Sequence, residues 1–456
     1  MSFSSVILKT SVTLDGPALS HPDEIMLVEA PTTMRIETDR ALIPASAESV
    51  RYLTVTVTAP GSERRSDRPG ANVALVLDRS GSMDGRKIEM ARNAVAHAIR
   101  LLDTRDHLAV VVYDNDVDMV LESTNASPEA KALALKRLAA VDARGNTDLS
   151  GGWSRGAGEL ARHIPASGAG GAPRVLLLTD GLANAGITDH DELARTAAAF
   201  RAKGIATSTF GLGADFDETL LSRLATEGGG HFYFIETPRQ IPDFLASELG
   251  ETLEVVAPDA KFVINGGADV EIALLNEFPV AAKPDGLHVK LGDLVAGQEV
   301  TLVVAVRWQP RHDGTPAVAD CRLTDRAGKL FPQPMRVEWT TADAAADVAQ
   351  PVNPSVLVAA AELIAARASS AALAANRAGR FDEAVGILRT VAARLRAMAH
   401  GIAEINALAS QLEHEEPQYA AMMDPMLIKA RYFAAHSTSR SRDTQGKARR
   451  SAVGST

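Results

Sequence analysis

VALVLDRSGSM, residues 73–83, is the stretch that decides the fold. Its first five residues form a continuous apolar run, which is typical of a strand buried on both faces of a parallel sheet. Asp78, Ser80 and Ser82 follow at the end of that run, and a helical pattern of apolar residues begins at Lys87. Because ligands bind at the carboxyl ends of strands in open α/β sheets, this loop is predicted to be a binding site.

The surrounding sequence, residues 73–254, alternates short apolar runs with longer helical patterns. Further predicted strands are LAVVVYD (108–114), RVLLLTD (174–180), ATSTFGLG (206–213) and HFYFI (231–235), and predicted helices include KIEMARNAVAHAIRLL (87–102) and DELARTAAAFRAKG (191–204). Alternation of this kind predicts an α/β fold, with a doubly wound, mostly parallel sheet covered by helices on both faces.

Two more segments place oxygen-bearing side chains in such loops. GNTDL (145–149) puts a threonine hydroxyl before a helix, and LLTDG (177–181) puts a carboxylate at the end of an apolar strand. The candidate metal ligands are oxygen atoms of Asp78, Ser80, Ser82, Thr147 and Asp180. Mg²⁺ prefers such ligands and fills the rest of its shell with water, so Mg²⁺ is the expected ion, with Mn²⁺ or Ca²⁺ as alternatives. Asp148 is predicted instead to cap the following helix.

DRSGSM, GNTDL and LLTDG, in this order and at these spacings, resemble the three motifs of a von Willebrand factor A-type (VWA) domain. Together, the three motifs resemble the metal-ion-dependent adhesion site of that family. The resemblance covers about residues 72–250. It implies a Rossmann-like sheet with one antiparallel edge strand, VDMVLE (117–122). It also implies that an Asp or Glu of a partner protein completes the ion's shell. The chain is then a protein-binding scaffold and not an enzyme.

The segments around this domain have β character and then helical character. Residues 1–58 and 255–341 carry β patterns, and 1–58 is too small to fold comfortably alone. The two are therefore predicted to pack as one antiparallel β-sandwich, with the VWA domain at 72–254 inserted between them. Residues 355–435 are Ala-rich and predicted to be helical. This layout resembles a group of bacterial proteins in which such a domain interrupts a β-sandwich and a helical segment follows.

Composition and charge exclude several other classes. The formal net charge is −10 and aromatic residues are 4%, which argues against nucleic-acid binding. Residues 437–456 hold five basic side chains against one acidic and are predicted to be a disordered basic tail. The single cysteine, Cys321, excludes an internal disulfide and a thiolate zinc site. With no signal-peptide pattern and no run of about 18 apolar residues, we expect a cytoplasmic chain without a membrane span.

Two other functions stay open beside the scaffold. The chain is alternatively an accessory subunit of a metal-chelatase-type or MoxR-type ATPase machine, whose motor must be another chain because ATPase motifs are missing. A metal-dependent hydrolase is the third candidate, but the metal loops offer no general base, and His190 is predicted to lie on the surface. Arg79, beside the metal loop, is expected to add local positive charge. Asp114, Asp116 and Asp118 alternate near a hairpin and are predicted to form a solvated turn.

Overall fold

The computed structural model describes residues 32–61, 70–164, 173–267, 270–310, 316–326, 328, 330 and 334–450. Residues 1–31 of the predicted β segment 1–58 lie outside the described residues, as do residues 451–456 of the predicted tail.

Strands and helices of the described residues are numbered in chain order. The strands are β1 (Thr33–Thr38), β2 (Leu42–Pro44), β3 (Ser49–Thr58), β4 (Asn72–Asp78), β5 (His107–Tyr113), β6 (Val117–Asn125), β7 (Arg174–Thr179), β8 (Ala206–Leu212), β9 (Gly229–Ile235), β10 (Val255–Asn265), β11 (Val270–Leu274), β12 (Val280–Lys283), β13 (Gly286–Val295), β14 (Glu299–Trp308), β15 (Ala317–Thr324) and β16 (Met335–Ala342). The helices are α1 (Arg86–Leu101), α2 (Pro128–Leu138), α3 (Leu149–Ala161), α4 (His190–Ala202), α5 (Glu218–Glu227), α6 (Ile241–Leu253), α7 (Ala344–Ala349), α8 (Pro354–Arg377), α9 (Phe381–Met398), α10 (Ala403–Tyr419) and α11 (Pro425–Ser439).

A six-stranded sheet forms the centre of the α/β domain, in the order β6-β5-β4-β7-β8-β9. Every neighbouring pair in it is parallel except β5 and β6. All residues of β4 and β7 are buried, as expected for strands covered on both faces. The predicted doubly wound, mostly parallel sheet is therefore confirmed, and β6 is its antiparallel edge strand.

The helices of this domain bury apolar faces at helical spacing. Helix α1 buries Ile88, Val95 and Ile99 in the core that the sheet residues share. Helix α3 begins as predicted, because Asp148 accepts a hydrogen bond from the Gly151 N–H at 2.9 Å and so caps its first turn.

Two further sheets share one hydrophobic core. Their orders are β1-β3-β14-β11 and β12-β13-β10-β15-β16-β2, and the pairing is antiparallel throughout except between β16 and β2. Val55 of the first sheet and Phe262 and Cys321 of the second are fully buried in that core. The α/β domain lies in the chain between β3 and β10, and thus between the strands of these two sheets.

The C-terminal helices α8 to α11 surround a core of their own. By length and composition alone, one helix among the described residues, α8, is apolar enough to cross a membrane. However, 56% of its apolar window is buried against the rest of the protein, as in the core helix of a soluble protein.

The prediction of a disordered tail from residue 437 is wrong for its described part. Helix α11 continues to Ser439, and Arg440 and Arg442 behind it are both buried. The Arg442 guanidinium donates to both carboxylate oxygens of Glu251 at 2.8 and 2.6 Å. Composition predicts a solvated segment, whereas here a buried carboxylate from a distant helix compensates the charge.

Candidate metal-binding site

The first part of the site follows from the pairing of β4 with β7. The two strands are parallel neighbours, with Leu77 opposite Leu178, so the residues that follow them meet at one edge of the sheet. The Thr179 hydroxyl donates to Asp78 Oδ2 at 2.5 Å. Asp78 and Asp180 are both fully buried. The carboxylates of Asp78 and Asp180 therefore lie at the same edge of the sheet.

The loop after β4 brings two hydroxyls to the same edge. The Ser80 N–H donates to Asp78 Oδ1 at 2.7 Å, which turns the chain tightly after the strand. A 3₁₀ turn, Gly81–Met83, follows. The Ser80 and Ser82 hydroxyls lie 3.1 Å apart, and Ser82 Oγ donates to Asp180 Oδ1 at 2.6 Å. Ser82 is exposed, so the cluster opens to solvent on this side.

The fifth predicted ligand, Thr147, reaches the cluster through the loop before α3. The Gly81 N–H donates to the Gly145 carbonyl at 3.0 Å, which joins this loop to the one after β4. A Cβ atom at Gly181 would lie 3.4 Å from Thr147 Oγ1 and 3.5 Å from Ser82 Oγ. The two hydroxyls thus flank Gly181, directly after Asp180, and the structure brings all five predicted residues to one end of the sheet.

Two asparagines, which the sequence analysis missed, hold these loops. The Thr147 N–H donates to Asn184 Oδ1 at 2.9 Å, and the Asn146 N–H donates to Asn115 Oδ1 at 2.7 Å. Gly145 has a φ of +69°, and a Cβ there would lie 2.5 Å from Asn115 Oδ1, so this turn requires glycine. The glycine in GNTDL is the only signal of this packing that the sequence carries.

Burial governs the electrostatics of Asp78. It raises the pKa of Asp78 to about 6, although the hydrogen bonds from Thr179 and Ser80 act in the opposite direction. A buried carboxylate is costly unless a cation compensates it. Together with an all-oxygen donor set of two carboxylates and three hydroxyls, this fits a hard divalent cation such as Mg²⁺.

Lys87 is a further residue that the sequence analysis did not assign to the site. It lies in the first turn of α1, and its ammonium contacts Asp180 Oδ2. Asp180 thus meets the Ser82 hydroxyl with one oxygen and a lysine ammonium with the other. The start of a predicted helix four residues after Met83 was the signal available, since the first turn of such a helix lies near the preceding loop.

Arg79 does not contribute the free positive charge that was expected of it. Its guanidinium is buried and pairs with Asp114, at 3.0 Å from Nε to Oδ2, and with Asp118. Arg144 also donates to Asp114, at 2.6 Å. The prediction of a solvated turn is wrong for Asp114. Burial alone would raise its pKa, but hydrogen bonds from the Asp116 N–H and Arg144 hold that pKa below its usual value.

Within the part of the chain that the structure describes, the other titratable groups do not form a second site of the same kind. His190 is exposed, as predicted, and its ring lies 3.4 Å from an Asp217 oxygen. A buried group of His231, Glu248 and Glu251 brings possible ligand atoms within 4.8 Å of one another. Arginines already pair with both of these glutamates, so the three-residue group is a buried ion network.

Comparison with known proteins covers this domain and much of the remaining chain. Residues 72–247 match the sequence family described as von Willebrand factor type A domain. The protein YfbK of Escherichia coli K12, itself uncharacterized, is 30% identical over 287 residues. That match covers 60% of this chain but 47% of the relative, so the chain spans about half of that protein.

Two solved structures share the fold over a larger part of the chain. A von Willebrand factor type A protein from Catenulispora acidiphila superposes with a TM-score of 0.65 at 20% identity, covering 86% of this chain and 89% of that one. The ArnB paralog VWA2 from Sulfolobus acidocaldarius gives a TM-score of 0.60 at 14% identity, covering 90% and 99%. At these identities the likeness concerns the fold alone, and it extends well beyond residues 72–247.

Proposed function

We propose that the von Willebrand factor type A domain of this chain binds a divalent cation, Mg²⁺ first, and through it an Asp or Glu of a partner protein. The observation that carries the proposal is the chain of short contacts joining Asp78, Ser80, Ser82 and Asp180 at the carboxyl ends of two adjacent buried strands. Thr147 lies at the same place. The five residues supply oxygen donors of the kind that a hard cation binds. They lie at the edge where α/β sheets bind ligands.

The side chains have separate tasks in this proposal. Asp78 and Asp180 supply negative charge from a buried position, and Ser80, Ser82 and Thr147 supply neutral oxygens. When bound, the cation supplies positive charge that attracts a carboxylate. The two aspartates neutralise it incompletely, because their oxygens are already shared with hydrogen-bond donors on this chain. The exposed side of the cluster, at Ser82, is where the partner's carboxylate approaches.

A binding role is better supported than hydrolysis. The side chains of the two aspartates and two serines contact one another, the Thr179 hydroxyl and the Lys87 ammonium. A lysine paired with an aspartate is a poor general base, and His190 is engaged with Asp217 instead. We therefore propose a non-catalytic scaffold whose metal site is an attachment point.

Calorimetric titration of the full chain with MnCl₂ and with MgCl₂ tests whether the site binds a divalent cation. We expect one binding event per chain, weakened at least tenfold by Asp78→Ala. Asp84→Ala is the matched control, because Asp84 is an exposed aspartate beside the same loop that we do not assign as a ligand. Equal affinity in the wild type and Asp78→Ala would refute the site.

The partner step is tested by affinity capture with the wild type, Asp78→Ala and Asp84→Ala, each with and without EDTA. Proteins retained only by the wild type and Asp84→Ala, and released by EDTA, are expected. A motor ATPase among them would favour the accessory-subunit alternative. A set of captured proteins that is identical for all three chains and insensitive to EDTA would contradict metal-mediated binding.

A further inference from the structure

A pocket lies where the metal-site face of the α/β domain meets the C-terminal helices, and we call it the seam pocket. Its volume is about 410 Å³, within the usual range for ligand pockets. The loops after β7 and β8 line it from one side, and the end of α8 and the start of α11 line it from the other. It is thus formed jointly by two units that are far apart in the sequence.

The floor of the seam pocket has its charges compensated within the chain. The Lys429 ammonium lies 2.8 Å from Glu218 Oε2 and 4.5 Å from the centre of the Phe216 ring. Arg377 donates to the other oxygen of Glu218 at 2.6 Å. Because these groups already have partners, an occupant is not required to supply a charge. Phe216 and Ile428, both buried, give the floor its apolar surface.

The rim is apolar and open to solvent. Leu182 is 55% exposed and Met422 is 62% exposed, and they lie on opposite sides of the seam. Both side chains line the pocket and present apolar surface to solvent at its mouth, and Met is enriched at protein interfaces. Asp215, also on the rim, disfavours a second acidic group there. The chemistry of the pocket therefore selects a large, uncharged, apolar side chain.

The seam pocket is adjacent to the metal site along the chain. Leu182 follows Asp180 by two residues, so their Cα atoms are at most about 7.6 Å apart, twice the usual Cα spacing. In an extended peptide, side chains two residues apart point to the same side and are separated by about 6.6 Å. An extended segment whose acidic residue reaches the metal site therefore passes close to Leu182, at the rim of the seam pocket.

We propose that the seam pocket receives a large apolar side chain of the same partner segment whose Asp or Glu engages the metal site. The partner thus carries an acidic residue and a Leu, Ile, Met or Phe two positions away, in extended conformation. This inference rests on the proposed function, which supplies the acidic anchor. The metal site attracts an acidic residue by its charge, and the pocket beside it favours an uncharged side chain. Together, these two requirements define this one occupant.

Selection from a phage-displayed library of linear dodecapeptides on the full chain tests this directly, with binding in MnCl₂ and elution with EDTA. We expect recovered peptides to share an acidic residue with a large apolar residue two positions away. Leu182→Ser and Met422→Ser should keep the acidic preference and lose the apolar one. Val348→Ser, a change at an apolar residue that is 83% exposed on α7, is the control and should select the wild-type pattern.

Fluorescence anisotropy with one recovered peptide then measures how much its apolar residue contributes to the binding affinity. Replacing its apolar residue with serine should weaken binding to the wild type at least tenfold and to Met422→Ser less than threefold. Mn²⁺ affinity, measured separately, should be equal in all seam variants and the wild type.

The outcomes separate the two proposals. If Mn²⁺ does not bind, or if Asp78→Ala selects the same peptides, the proposed function fails. If acidic peptides are recovered without an apolar preference, or with one that the seam variants leave unchanged, the seam pocket proposal alone is overturned. Recovery of no EDTA-released peptide by a chain that binds Mn²⁺ also overturns it. So does a homodimer that Met422→Ser dissociates in sedimentation, because the occupant is then a second copy of this chain.

Discussion

Replacing Lys87 with methionine should raise the affinity of the chain for Mg²⁺ and Mn²⁺ by a factor of about ten or more. The Lys87 ammonium contacts Asp180 Oδ2, on a carboxylate that we propose to be a metal ligand. A bound cation and this ammonium must therefore share one acidic group. Methionine keeps the length of the side chain and its helix propensity in α1 while it removes the charge.

The magnitude follows from the charges and the position of Lys87. Its side chain is 28% exposed and Asp180 is fully buried, so the dielectric constant of water gives a lower limit for the repulsion. For a dication and an ammonium on opposite oxygens of one carboxylate, about 6 Å apart, the repulsion in water is about 1.4 kcal/mol. A free-energy difference of about 1.4 kcal/mol corresponds to a tenfold change in affinity. Poorer solvation would enlarge the effect, so tenfold is the lower expectation.

Calorimetric titration of MnCl₂ into the wild type, Lys87→Met and Lys136→Met measures the effect. Lys136 is an exposed lysine on α2 and serves as the control for the loss of one positive charge. The difference should shrink as the salt concentration rises, because salt screens partly exposed charges. Equal affinities in the two variants, or weaker binding by Lys87→Met, would show that Lys87 does not compete with the cation.

Three other predictions concern the framework of the site. Gly156→Ala should lower the free energy of unfolding by about 1–3 kcal/mol in urea titrations, since its Cβ would lie 2.4 Å from a Val76 methyl. Gly158→Ala, at an exposed position of the same helix with open space around it, should instead raise the free energy of unfolding by about 0.5–1 kcal/mol through helix propensity. Arg442→Met should lower the free energy of unfolding by about 3–5 kcal/mol, because it leaves the buried Glu251 carboxylate without its arginine, and unchanged stability would mean that the tail does not hold the fold. Burial holds the pKa of His231 below its usual 6.5, so the unfolded chain takes up a proton before the native one does. The melting temperature should then fall as the pH drops below about 6.5, with a shallower fall in His231→Gln.

The sequence predicts the central sheet well because its signals are local. Each buried strand appears as an uninterrupted apolar run, and each helix as a repeat of apolar positions, so the alternation alone indicates a parallel sheet. Asp78, Ser80, Ser82 and Asp180 are predicted for the same reason, since strand ends in such a sheet meet at one edge. Thr147 lies before α3 and not after a strand, and its prediction depends on the resemblance of GNTDL to a known motif. Asp148 is recognised as a cap because capping depends on the three residues that follow it.

Side chains that depend on distant partners could not be predicted in this way. Arg442 is exposed and disordered by composition, but its partner Glu251 is 191 residues away in the chain. Arg79 likewise appears to be a free charge until β5 and β6 bring Asp114 and Asp118 beside it. Local patterns carry no information on such pairs, because a buried charge is tolerated only once the fold has supplied its counter-ion.

Contacts between residues far apart in the chain also determine where the seam pocket lies. Lys429 of α11 is fixed to Glu218 of α5, and the Tyr432 hydroxyl lies 2.8 Å from that of Ser222. Buried ion pairs add little net stability but are costly to break, so they favour one relative arrangement of the helices and the α/β domain. That arrangement sets Met422 across the seam from Leu182, beside the metal loop.

It follows from our proposals that affinity and selectivity have different origins in this chain. The metal loops alone would accept any accessible carboxylate, because a cation distinguishes little among acidic residues. The apolar requirement comes from Leu182 together with α11 and the loop before it, and these last two belong to the C-terminal helices and not to the metal motif. A related chain with the same five ligands but without these helices should therefore bind acidic peptides without regard to the neighbouring residue. Deleting the apolar rim by Met422→Ser should convert this chain to the same behaviour.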